Sequence, residues 1–143
     1  MFLVNQPRIC YTSSIFNEKK GFYIMRKVTR TIVEAFYSGV AKSCGNTCTD
    51  GNNIWLHDNK IAEKDELGNL LITNAGFETN VTKERLNGLL ELGNFPQWPS
   101  PHIYQKNFTW YLSVGQRTLE FPCNGWVSVE SEIDKAYKHE AVQ

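Results

Sequence analysis

The stretch Ile54-Trp55-Leu56-His57-Asp58-Asn59-Lys60-Ile61-Ala62-Glu63-Lys64 reads as two short strands joined by a tight turn. Ile54 to His57 is rich in residues that suit a pleated, half-buried surface. Asp58-Asn59 is the expected turn, since both residues tolerate positive φ. Lys60 to Lys64 returns as the second strand. Asp65-Glu66-Leu67-Gly68 supplies another turn, and Asn69 to Thr73 a third strand. The expectation is an antiparallel meander of three short strands.

Helices flank it. Upstream, Val28, Ile32, Ala35 and Phe36 fall at i, i+4, i+7 and i+8, one face of a 3.6-residue period. A helix is therefore expected over Val28 to Ser38, with Thr29 or Thr31 as its N-cap and Gly39 as its stop. Ser43 to Asn53 is dense in turn formers and reads as a loop. Downstream, Asn74-Ala75-Gly76 breaks the sheet, and Thr82 to Leu92 reads as a second helix. Thr82 is its expected cap, with Val81 packing on Leu86. Gly76 could open an anion-binding helix start, though an ordinary turn explains it better.

The segment Asn94 to Pro101 holds three prolines and reads as a stiff loop. Ile103 to Lys106 and Phe108 to Ser113 then form a hairpin, with strands at Arg117 to Phe121 and Trp126 to Val129. A short terminal helix is expected over Ser131 to Ala141. Trp55, Trp110 and Trp126 fall in these strands and are expected in the core or half-buried. The fold class is α+β: an N-terminal helix, a β-meander, a second helix, a C-terminal β region and the terminal helix.

With 143 residues, one domain is expected, long enough to bury a core without staples. Residues 1–24 lack a period and form an N-terminal extension to a domain over 25–143. Lys19-Lys20-Gly21, a few codons before Met25, is also what a purine-rich ribosome-binding site would encode, so Met25 is expected to be an internal start. No apolar run approaches the roughly 20 residues of a membrane helix, and no signal peptide is evident. A cytoplasmic setting follows, with the four cysteines reduced.

Fifteen basic residues balance fifteen acidic ones, which excludes polyanion mimicry and a strongly basic domain. Residues 1–60 nonetheless hold eight Lys/Arg against four Asp/Glu, a net of +4, and residues 61–143 a net of −4. Lys19, Lys20, Arg26, Lys27 and Arg30 fall in one stretch without an acid, and Phe22 and Tyr23 lie between them. Cations for phosphate and rings for stacking suit a nucleic-acid contact; the plainer reading is a solvated helix start.

Phe95 and Trp98 sit among the prolines of the stiff loop. A Trp held rigidly loses little entropy on docking, so the loop is a partner-binding candidate. Its alternative is a loop folded back on the core. Cys44, Cys48 and His57 could supply three zinc ligands, with Cys123 a distant fourth, but the spacing is unusual and packing thiols are the better reading. His57 and Asp58 are neighbours and on a strand would face opposite ways, so no general-base pair is evident. No catalytic residue, metal or cofactor is assigned.

The stretches MRKVTRTIVEAFYSG at 25–39, CGNTCTDGNNIWLHDNKIA at 44–62, ITNAGFETNVTKERLNGLL at 72–90 and IYQKNFTWYL at 103–112 carry a resemblance. They resemble a family of small phage-encoded proteins of unknown function. The 24-residue extension and the Pro-rich insert at 95–101 depart from its pattern. The resemblance implies a phage origin and brings no activity or catalytic residues with it. Phage proteins of this size include inhibitors of bacterial defence such as anti-CRISPR proteins, which is analogy alone. The leading expectation is a non-enzymatic protein that binds a host protein or complex through Phe95, Trp98 and the basic stretch. The alternatives are a nucleic-acid-binding module using residues 19–30 and a small enzyme of unknown reaction.

Overall fold

The computed structural model describes residues 25–93, 95 and 101–142. Among these residues, three helices and nine strands follow in the order α1 (Lys27–Ser38), β1 (Lys42–Cys44), β2 (Thr47–Thr49), β3 (Asn53–Leu56), β4 (Asn59–Lys64), β5 (Leu70–Ile72), α2 (Asn80–Leu92), β6 (His102–Lys106), β7 (Thr109–Val114), β8 (Arg117–Glu120), β9 (Val127–Ser128) and α3 (Val129–Val142). The α+β class and the placement of the helices agree with the sequence reading.

The meander is longer than expected. Strands β1 to β5 pair consecutively, and β9 adds to β5 as the sixth member of the sheet. Strands β6, β7 and β8 form a second, three-stranded sheet. This sheet is an excursion between two paired neighbours, because Ile72 of β5 meets Val127 of β9 across the intervening chain. Both sheets feed one core, in which Phe36, Ile54, Ile72, Leu89, Trp110, Leu112 and Phe121 are all buried.

The structure departs from the sequence reading in several places. The supposed loop at 43–53 contains the β1–β2 hairpin, whose two central residues are Gly45 and Asn46. Gly45 takes φ 61, the first-position positive φ of a type II′ turn. The next turn falls at His57-Asp58 rather than Asp58-Asn59, with φ 51 and 67, both positive as a type I′ turn requires. A register shift between Ile54 and Trp55 lets consecutive Ile61 and Ala62 both be buried. Trp126 lies outside β9 and is 46% exposed, whereas Trp110 is buried and Trp55 half-buried.

The helix caps also differ. Gly39 ends α1 as expected, at φ 74, with the Val40 N–H reaching back to the Ala35 carbonyl at 2.9 Å. At its start neither threonine caps the helix. The N-cap is Arg26, which has no side-chain cap of its own, and its backbone N–H donates to Glu84 Oε2 of α2 at 2.9 Å. In α2 the cap is Thr79, whose Oγ1 accepts from the Thr82 N–H at 3.2 Å; Thr82 itself is buried within the helix.

Helix α1 packs on α2 and over β1 to β3. Between them lies a polar knot. Arg85 of α2 is buried, and its guanidinium donates to Thr47 Oγ1 at 3.0 Å, Thr29 Oγ1 at 2.9 Å and Asn46 Oδ1 at 3.1 Å. Glu84 is ion-paired with Arg85 and also accepts from the Thr29 hydroxyl. One buried cation thus ties α2, α1 and the β1–β2 hairpin together. On the far side of α2, the Asn87 side chain bonds the edge of the second sheet. Its amide donates to the Ile103 carbonyl at 2.9 Å and its Oδ1 accepts from the Ile103 N–H at 2.7 Å.

Candidate functional site

The type I′ turn after β3, the loop 73–79 and the start of α2 surround a cavity of about 370 Å³. Leu56, Ile61, Phe77 and Val81 supply its apolar wall; His57, Asn59, Thr79 and Thr82 bring polar groups to it. Leu56 and Ile61 belong to the buried core, so the floor is fixed by packing. Phe77 is 51% exposed, so about half of a large apolar side chain faces water at this recess.

The loop that carries Phe77 is held by Asn74, which is fully buried. Its Oδ1 accepts from the Gly76 N–H and from the Asn124 N–H, both at 2.8 Å. One amide therefore joins the loop before α2 to the loop before β9. Gly76 takes φ 85 four residues ahead of the helix, so it belongs to this turn and not to a helix start. Ala75 also has positive φ, at 56.

A hydrogen-bonded path leads from the recess to the buried arginine. His57 Nε2 and Asn46 Nδ2 lie 3.4 Å apart, and Asn46 Oδ1 in turn accepts from Arg85. Asp50 and Asp65 sit in turns away from it. Backbone N–H groups, those of Asn52 and Asn69 foremost, hold their carboxyls below the usual range. They order turns and do not line the recess.

Among the described residues, the candidates singled out in the sequence do not converge. Arg26 and Lys27 are exposed at the start of α1, and Arg30 lies 3.6 Å from Glu34 one turn on. Phe95 is half-buried and packed against the core. Its ring and the Tyr37 hydroxyl crowd the place a Cβ on Gly93 would take, so Phe95 belongs to the other end of α1. At about 1.5 Å per residue, the two ends of that helix lie roughly 15 Å apart. Lys19, Lys20 and Trp98 lie outside the described residues.

The zinc alternative fails on strand parity. In the β1–β2 register Cys48 faces Ser43 while Cys44 faces Thr47, so the two thiols lie on opposite faces of the sheet. Among the described residues no group of three or more His, Cys, Asp or Glu side chains could hold a metal ion. His57 and Asp58 occupy a turn and not a strand, so the alternation expected of them does not apply.

A family model described as Kyanoviridae Gp96 protein matches residues 25–129. The chain belongs to the Kyanoviridae Gp96 family. It is thus a member of a phage protein family, and the match extends past the central stretches that carried the resemblance. No curated protein and no solved structure matches the chain. Among the described residues of this Gp96-family protein, no helix is long and apolar enough to cross a membrane.

The sequence reading missed Phe77. It sits two residues after Ala75 in a break between elements, with no period to mark it. Only the fold brings Leu56, Ile61 and Val81 around it.

Proposed function

We propose that this phage protein is a non-enzymatic binding protein that acts by occupying a surface of a host protein or complex, bacterial defence complexes included. The observation that supports this reading is the recess itself. It combines a rigid apolar floor, a half-exposed Phe77 and a polar rim. That is the anatomy of a small protein-interface core, in which an apolar anchor is ringed by hydrogen-bonding groups. Its volume of about 370 Å³ is enough to seat an apolar side chain of the partner.

The test is capture from a bacterial host lysate by the immobilised chain, beside a Phe77→Ser variant. A partner held in fixed stoichiometry by the parent and lost by F77S is the expected result. Phe77 is half-exposed, so F77S is expected to keep the fold, checked by circular dichroism. Equal capture by a folded F77S chain, or recovery of nucleic acid without a protein partner, would overturn the reading.

A further inference from the structure

Along β6 and β7 the side chains alternate. Ile103, Trp110, Leu112 and Val114 are buried, which leaves His102, Tyr104, Lys106 and Tyr111 on the opposite face. The register sets Tyr104 directly across from Tyr111. Their rings stack with centroids 5.6 Å apart and planes 27° from parallel. The His102 ring continues the row, 5.7 Å from Tyr104.

A cross-strand aromatic pair of this kind stabilises a sheet, which accounts for the two tyrosines taken alone. It does not account for Phe108. The β6–β7 turn has Asn107 at φ 52 and Phe108 at φ 65, a type I′ geometry whose second position suits glycine. Phe108 takes this disfavoured backbone conformation while 90% exposed. A large apolar ring with no packing role, held where glycine would cost less, points to function.

The charges on this surface are ordered. Lys106, paired with Thr109, lies on the same face as the two tyrosines, whereas Lys83 of α2 bonds Gln105 on the other face, over the Trp110 ring. The carboxylate on the sheet, Glu120, lies across from Tyr111 on the β8 side. On the aromatic face Lys106 therefore stands on the β6 side of the rings and Glu120 on the β8 side. Strand addition by a peptide is blunted at the β6 edge, because Asn87 already occupies both backbone groups of Ile103.

We infer that the open face of the second sheet binds single-stranded nucleic acid. About two or three bases stack on the His102–Tyr104–Tyr111 row and on Phe108, while Lys106 neutralises a phosphate beside them. This site is separate from the Phe77 recess and does not rest on the host-protein reading.

The test is fluorescence anisotropy with a labelled, mixed-sequence single-stranded DNA oligonucleotide and its duplex, at low and high salt. Expected are binding that weakens with salt, a single strand preferred at least tenfold over duplex, and retained binding by a Tyr104→Phe, Tyr111→Phe chain. Tyr104→Ala or Tyr111→Ala is expected to weaken binding roughly 5- to 100-fold, the range of a lost stacked base. Phe108→Gly gives the sharper result: weaker binding with an unchanged or higher Tm, which no structural role for Phe108 would produce. Should the tyrosine variants fail to fold, F108G and Lys106→Glu decide. No single-strand binding at low salt, or parental binding by folded F108G and K106E chains, would overturn the proposal. So would binding abolished by substituting Arg26 and Lys27 and untouched by these variants.

Discussion

An Arg85→Ala chain is expected to lose about 3–5 kcal/mol of folding stability, the usual cost of breaking a buried ion pair from one side. The Arg85 side chain is 5% exposed and that of Glu84 13%. Removing the guanidinium leaves a largely buried carboxylate without its paired cation. It also takes the donors from Thr29 of α1 and from Asn46 and Thr47 of the β1–β2 hairpin. Urea unfolding followed by circular dichroism measures the loss as a shift of the midpoint. Arg85→Met should recover little, because it restores volume and no donor. A loss under about 1 kcal/mol in R85A would mean that apolar packing of α1 on α2, and not this knot, holds the two helices.

The same knot explains what the sequence conceals. The helices and strands β3 to β5 were legible because their inward residues are apolar and periodic: Ile32 and Phe36 in α1, Ile54 and Leu56 in β3, Leu70 and Ile72 in β5. The β1–β2 hairpin was not legible, because its inward positions are Thr47 and Thr49, which are buried but polar. Thr47 is satisfied by Arg85, a residue 38 positions away. No local pattern announces a strand whose core face is threonine. The turn at 57–58 was misplaced by one residue for a related reason. Turn chemistry favours Asp58-Asn59, whereas the pairing of Leu56 with Asn59 places the turn one residue earlier. Phe77 and the Tyr104–Tyr111 stack depend on neighbours that only the fold supplies. Phe108, expected to open the strand, lies instead in the turn, because the pairing of Lys106 with Thr109 leaves Asn107 and Phe108 as its two central residues, the second a position that suits glycine.

Gly88→Ala is expected to destabilise the fold by about 1–3 kcal/mol, although alanine in a helix interior is favoured over glycine by about 1 kcal/mol. A Cβ at Gly88 would lie 2.2 Å from Thr29 Cγ2, with the Met25 side chain 3.7 Å away. Met25 could yield, since a methionine side chain is flexible. Thr29 cannot turn away cheaply. Its hydroxyl accepts from Arg85 and donates to Glu84, which fixes the rotamer and so aims the methyl at Gly88. The two features are therefore coupled, and a double-mutant cycle reads the coupling. Thr29→Ser keeps the hydroxyl and deletes the methyl, so G88A in a T29S background should recover most of the stability lost by G88A alone. Additive losses would show that the clash is relieved by separating the helices, leaving the hydroxyl bonds free of any part in the close approach of α1 and α2.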